Sequence, residues 1–147
     1  MTEYTAILTP DFFYHIYNRA NGNEKLFYTT ENFRYFLQKY TQYIHPVADT
    51  FCYCLMPNHF HLIVRIRSET KLLNLTGFEN LTGLKLEAQI TKHFSNFFNS
   101  YSKSINEQER RKGSLFMRPF KRKIIESTPY LQKLVHYIHF NPLEAGI

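Results

Sequence analysis

The sequence predicts an α+β protein in which helices cover one face of an antiparallel sheet. Segments rich in aromatic and β-branched residues alternate with segments whose apolar residues recur every three or four positions. Their order is β-α-β-β-α-β, followed by one more helix. A chain of 147 residues, 44% of them hydrophobic, is long enough to bury a core, so we expect a single domain over residues 1–147.

The first half of the chain predicts three strands and a helix. Residues 12–18 (FFYHIYN) are rich in aromatic side chains and predict the first strand. Thr30 can cap a helix that runs to about Ile44. Residues 47–56 and 59–66 predict the second and third strands, joined by a tight turn at Pro57-Asn58.

The second half predicts a loop, a long helix, a strand and a final helix. Residues 67–84 predict the loop, and residues 85–104 predict an amphipathic helix with apolar side chains at helical spacing. Residues 121–126 (KRKIIE) predict the fourth strand, and Thr128 with Pro129 predicts the start of the last helix. This is the ferredoxin-like arrangement, an antiparallel sheet with two helices on one face. We expect the other face to hold the final helix and a site.

Two histidines stand at the start of the third predicted strand. Side chains two apart on a strand point to the same face, so His59 and His61 should have adjacent imidazoles. Phe60 and Leu62 then face the core. Adjacent imidazoles form half of a site for a divalent metal, although an isolated histidine pair is more often structural. Support for a site therefore requires further ligands and a reactive group.

A tyrosine in the last predicted helix meets that requirement. Among the tyrosines of the predicted helices, only Tyr137 is followed one turn later by a side chain able to bind a metal, that of Asn141. Tyr137 should lie at the border of the apolar stripe that contains Leu134 and Ile138, where packing holds a residue that still meets solvent. The alternative is that Asn141 only caps the helix ahead of Pro142, with Tyr137 packed beside it.

The charge distribution points to an anionic partner. The net charge is +6, with 18 basic and 12 acidic residues. Seven cations and no acidic residue lie between positions 110 and 123: Arg110, Arg111, Lys112, Arg118, Lys121, Arg122 and Lys123. Phe116 and Phe120 lie among them, and a mixture of cations and aromatic rings suits single-stranded nucleic acid. The alternative is a solvated loop beside a strand.

Three segments resemble a known family. Residues 14–19 (YHIYNR), 53–64 (YCLMPNHFHLIV) and 137–146 (YIHFNPLEAG) are similar to motifs of the single-tyrosine HUH transposases, and most similar to those of the REP-associated tyrosine transposases. The resemblance implies a metal-dependent enzyme that nicks single-stranded DNA bearing hairpins and transfers the strand. It also implies that His59, His61 and Asn141 hold Mg²⁺ or Mn²⁺, and that Tyr137 forms a 5′-phosphotyrosine intermediate.

Several expectations accompany this resemblance. The N-terminus has no signal peptide and the chain has no membrane-spanning run, so we expect a cytoplasmic protein, either a monomer or a homodimer. His15, in the first of these segments, either approaches the site from a neighbouring strand or only packs within its own strand, and neither it nor His139 is assigned a role. Relatives commonly continue past the last motif, whereas this sequence stops at Ile147; we expect either that DNA contacts or regulation supplied by such a tail are missing, or that the sequence is a truncated product.

Two other functions compete with this one. Cys54 should lie opposite His61 in the hairpin, so Cys52, Cys54, His59 and His61 share one face and resemble a structural zinc set. RNA-recognition modules have the same element order and bind without catalysis, but the chain lacks their glycine-aromatic strand motif.

Overall fold

The computed structural model describes residues 3–144, with side chains described through His139. The predicted order of elements is confirmed, with one additional short helix. The elements are β1 (Phe13–Arg19), α1 (Thr30–Tyr43), β2 (Ala48–Met56), β3 (His59–Ile66), α2 (Glu69–Leu73), α3 (Gly83–Glu109), β4 (Lys121–Ile125) and α4 (Thr128–Glu144).

The strands form one antiparallel sheet in the order β2-β3-β1-β4. Each β-α-β unit is split by a strand of the other, because β3 lies between β1 and β2 while β1 lies between β3 and β4. This is the ferredoxin-like arrangement that the sequence predicts. β1 and β3 are thus central strands with neighbours on both sides.

The main core lies between one face of the sheet and the helices α1 and α3. Phe36 of α1 and Phe97 of α3 meet edge to face, with ring centroids 5.0 Å apart. They pack with Ile16 and Phe60 from the central strands, and all four side chains are fully buried. Alternation along the strands therefore sends every second residue into this core and leaves the remaining residues to the opposite face.

Helix α4 covers part of that opposite face. Its Leu134 and Ile138 pack with Cys54, Met56 and Ile63 of the sheet in a second, smaller apolar cluster. The cluster is separate from the main core, so the described part of α4 packs on a group of side chains of its own.

The first three helices differ from the sequence prediction in their ends or in their presence. Thr29, not Thr30, caps α1, because its hydroxyl accepts the Asn32 N–H and the Asn32 side chain accepts the Thr29 N–H. The predicted loop contains α2, a single turn capped by Ser68 and too short to show a periodicity. Helix α3 runs further at both ends than expected and stops where Arg110 adopts a left-handed conformation.

None of the helices within residues 3–144 is long and apolar enough to cross a lipid bilayer.

Candidate active site

The histidine pair lies on the sheet face that α4 covers. β3 begins at His59, as predicted, and alternation places His59, His61 and Ile63 on this face. The register with β1 sets Arg19 opposite His59 and Tyr17 opposite His61. The pair therefore sits at one end of two central strands, on a surface built by non-adjacent parts of the chain.

Each histidine is anchored through the same ring nitrogen. Nδ1 of His59 lies 2.8 Å from Oδ1 of Asn58, and Nδ1 of His61 lies 3.0 Å from Nε2 of His15. The His59 and His61 rings are nearly perpendicular, with centroids 5.3 Å apart. In the described part of the chain, no hydrogen bond engages Nε2 of either ring, so that nitrogen is available on both histidines.

Burial keeps these imidazoles uncharged. It lowers the pKa of His59, and it lowers that of His61 to about 4 with a further contribution from the charge of His59. Burial also lowers the pKa of His15 to about 3, assisted by His61 and Lys123. Neutral imidazoles carry lone pairs, so at neutral pH both rings have the protonation state that metal binding requires.

The donor set fits a divalent cation in part. Two neutral imidazoles with available Nε2 atoms suit Ni²⁺, Zn²⁺ or Co²⁺, and they leave positions for oxygen ligands. Mg²⁺ and Mn²⁺ prefer oxygen, so their choice follows from the family resemblance and not from these two side chains. The third predicted ligand, Asn141, lies in α4, but its side chain is outside the described residues.

Helix α4 brings Tyr137 to the histidines. Ser127, not Thr128 as the sequence predicts, caps the helix, since its hydroxyl accepts the Tyr130 N–H. Leu134 and Ile138 of this helix turn inward. Tyr137 is 47% exposed, and its ring stands edge to face with His61 at a centroid distance of 5.9 Å. The predicted position at the border of the apolar stripe is confirmed. A phenol that reaches both solvent and an imidazole pair can meet a substrate there.

Sequence reasoning missed a second tyrosine beside the site. The Tyr17 ring lies 5.8 Å from that of His61 and 4.5 Å from that of His15, nearly parallel to both. Burial raises the pKa of Tyr17, and the other groups that influence it are Tyr4, Lys123, Tyr130 and Glu3. Tyr17 lies on a strand, so a comparison of helical tyrosines does not reach it.

His15 also joins the site, which is one of the two alternatives that its place in the first motif leaves open. It lies two residues before Tyr17 on β1, which places it on the same face. The signal that could have found it is the antiparallel pairing of β1 with β3, which brings residue 15 diagonally to residue 61.

The cysteines occupy the predicted face but pack as apolar side chains. Cys54 does lie opposite His61, as expected. It is buried with Met56 and Ile138 in the smaller cluster, and burial raises the pKa of both the Cys52 and the Cys54 thiols. Over the described residues, no three His, Cys, Asp or Glu side chains converge into a metal-binding group. The structure therefore favours a packing role for the cysteines over the zinc set.

The basic segment is not one continuous surface. Lys121 and Lys123 face the site because they lie opposite Tyr17 and His15, whereas Arg122 points to the other face and donates to the Ala6 carbonyl. Two of the seven cations have acidic partners: Arg111 pairs with Glu24 at 3.5 Å, and Lys123 pairs with Glu3 at 2.8 Å. The ion pair with Glu3 and a hydrogen bond with Tyr130 raise the pKa of Lys123.

The expectation that Phe116 and Phe120 stack on bases is wrong. Both side chains are buried, at 4% and 6% exposure, and pack on α3. The loop before β4 folds back onto the helix, so its aromatic rings belong to the core. Arg110, Lys112 and Arg118 remain exposed on this loop.

The fold and the site define an α+β protein with a histidine pair on a ferredoxin-like sheet and a tyrosine-bearing helix above it. Comparison with solved structures finds this fold in a REP-associated tyrosine transposase bound to a REP hairpin. The TM-score is 0.66 and the identity 14%, and the match covers 99% of this chain and 75% of that one. No family model matches the sequence. No curated protein matches it either. The likeness is therefore one of fold.

Proposed function

We propose that this protein nicks single-stranded DNA and transfers the strand, with Tyr137 as the nucleophile. The observation that carries the proposal is the contact between Tyr137 and His61, 5.9 Å between ring centroids, made by two elements far apart in sequence. The fold shared with a tyrosine transposase supports the same reaction class. His59 and His61, with Asn141 as a predicted third ligand, would hold Mg²⁺ or Mn²⁺.

The chemistry exchanges one phosphodiester for another. The Tyr137 hydroxyl attacks the scissile phosphorus, the bond to the 3′ oxygen breaks, and the tyrosine proton passes through solvent to that leaving oxygen. The products are a 5′-phosphotyrosine and a free 3′-hydroxyl. Attack by a 3′-hydroxyl on the phosphotyrosine reverses these steps and rejoins strands, so no nucleotide cofactor is consumed. A bound divalent cation supplies charge withdrawal from the phosphate.

The protein's own groups prepare this reaction. Leu134 and Ile138 hold α4 on the sheet, so Tyr137 is presented at a fixed place beside His61. The imidazoles are neutral, so the histidine pair itself adds no positive charge that would repel a cation. Net charge of +6 attracts the DNA backbone.

We assign the backbone contacts to the exposed and site-facing cations of the basic segment. Lys121 faces the site beside Tyr17, and Arg110, Lys112 and Arg118 are exposed on the loop before β4. Arg111, Arg122 and Lys123 have internal partners and would contribute once those partners are displaced. The hairpin in the substrate is proposed from the family resemblance and from the hairpin bound to the similar structure.

Incubation with a single-stranded DNA hairpin and Mn²⁺ tests the proposal. We expect a protein–DNA adduct that survives denaturing electrophoresis in the wild type and is absent in Tyr137→Phe or after chelation. Tyr17→Phe is the matched control, because its ring lies as near to His61 and the substitution removes only the hydroxyl. This control should retain the adduct.

Two results would change the assignment. An adduct that persists in Tyr137→Phe refutes Tyr137 as the nucleophile. Retarded DNA mobility with no adduct in the wild type, across hairpins and metals, would favour the non-catalytic binding protein.

A further inference from the structure

We infer that His15 is a positioning residue for the histidine pair. Its Nε2 accepts a hydrogen from Nδ1 of His61, which keeps the Nε2 lone pair of His61 available to a cation. The inference rests on the proposed function for its purpose, and it adds to that function a buried residue that is neither ligand nor nucleophile.

His15 is a polar side chain enclosed by rings. It is 7% exposed, lies against Tyr17 at 4.5 Å and runs nearly parallel to the His61 ring at 5.2 Å. A buried ring nitrogen requires a hydrogen-bond partner, and the partner here is Nδ1 of His61 at 3.0 Å. The stacked rings prevent His15 from turning away, so this contact is fixed by packing.

The hydrogen shared by His15 and His61 decides what His61 can bind. If it resides on Nδ1 of His61, that ring carries no hydrogen on Nε2 and offers a lone pair there. If it resides on Nε2 of His15, neutral His61 must carry its own hydrogen on Nε2 and cannot bind a cation through it. Only the first arrangement makes His61 a ligand.

The neighbouring histidine shows the same arrangement with a different partner. Nδ1 of His59 lies 2.8 Å from the side-chain oxygen of Asn58, and an amide oxygen can only accept. His59 therefore carries its hydrogen on Nδ1 and offers a lone pair on Nε2. An acceptor behind each Nδ1 gives both rings the same tautomer, which is the usual way a protein orients a metal-binding histidine.

The same geometry argues against His15 as a third ligand. In the proposed arrangement the His15 Nε2 lone pair would be occupied by the His61 hydrogen, and the residue is only 7% exposed. An imidazole in this place also differs from the carboxylate that commonly supports a ligating histidine. It adds no negative charge beside a site that must receive a phosphate.

Nuclear magnetic resonance of the metal-free protein, labelled with ¹⁵N at histidine, reads the tautomer directly. We expect the hydrogen of His61 on Nδ1 in the wild type and on Nε2 in most molecules of His15→Phe. His15→Gln, whose side-chain oxygen can accept, should restore part of the Nδ1 form. Circular dichroism confirms that each variant is folded, and His15→Gln serves if the phenylalanine variant is not.

Mn²⁺ binding, followed by electron paramagnetic resonance, provides the second readout. Loss of a supporting residue typically weakens metal affinity by about 10- to 100-fold, so His15→Phe should fall in that range while His61→Ala loses binding. His93→Gln is the matched control, because His93 is a partly buried histidine on α3 that bonds to the Gln89 carbonyl. It should leave the His61 tautomer and the Mn²⁺ affinity unchanged.

Three results would overturn the inference. The first is a wild-type protein whose His61 carries its hydrogen on Nε2, and the second is a His15→Phe variant in which the His61 tautomer and the Mn²⁺ affinity are unchanged. The third is a His15→Gln variant that loses Mn²⁺ binding as completely as His61→Ala. The last would make His15 a ligand. A wild type that binds no Mn²⁺ contradicts the proposed function instead, and the tautomer comparison, made without metal, still decides the role of His15.

Discussion

Replacing Ile138 by alanine should release α4 from the sheet while the rest of the fold persists. Ile138 is 1% exposed and packs, with Leu134, on a small apolar cluster apart from the main core. Truncating a buried isoleucine to alanine costs about 2–5 kcal/mol. Because each 1.4 kcal/mol is a factor of ten, the docking equilibrium should fall roughly 30-fold to several thousand-fold. Since Ile138 is the most deeply buried of the described α4 side chains, that loss should appear as local undocking.

Hydrogen exchange and adduct formation together measure this effect. We expect amide exchange in α4 to accelerate selectively and the covalent DNA adduct to decrease, because Tyr137 leaves the histidine pair. Ile105→Ala is the matched control, since Ile105 is equally buried at 1% but lies in the main core. It should lower the melting temperature more and accelerate exchange throughout the protein. If Ile138→Ala instead leaves the protection of α4 unchanged, or loosens every element equally, α4 is not a separately docked helix.

Three further predictions follow from burial and charge. Burial holds the pKa of His15 at about 3 and that of His61 at about 4, below the ordinary 6.5. Between these values and pH 6.5 the unfolded chain binds more protons than the folded one. The free energy of unfolding should therefore be highest above about pH 6.5 and decline as the pH falls toward 4. Urea titrations across this range should show a shallower decline for His15→Phe, and an unchanged decline would contradict neutral burial. Phe120 is buried, so Phe120→Ala should destabilise the fold by about 3–5 kcal/mol. The DNA affinity of the folded variant, measured by fluorescence anisotropy, should be unchanged. A loss of DNA affinity without a loss of stability would mean that the Phe120 ring contacts DNA. Lys121→Gln should weaken single-stranded DNA binding and reduce the slope of log affinity against log salt concentration by about 0.7. The control Lys39→Gln on α1 should change neither quantity. Equal effects of the two substitutions would indicate non-specific attraction.

Local patterns predicted the parts of the site that one segment determines. Strand alternation placed His59 and His61 on one face, and the structure confirms both the strand and the face. Helical spacing placed Tyr137 at the border of the apolar stripe of α4, which is also confirmed. The metal-binding role of Asn141 stays a prediction.

Contacts between distant segments were not accessible to such patterns. His15 reaches His61 only through the register of β1 with β3, which spacing within either strand does not specify. Glu3 and Glu24 neutralise Lys123 and Arg111 from far along the sequence, so the basic segment looked more uniform than it is.

Identification of the residue that carries DNA tests the central claim most directly. After reaction with a hairpin substrate and nuclease digestion, peptide mapping by mass spectrometry locates the attached nucleotide. We expect it on Tyr137, whose exposed ring meets His61 from α4. A nucleotide on Tyr17, whose ring lies 5.8 Å from the same histidine, would contradict the account and move the nucleophile from the helix to the sheet.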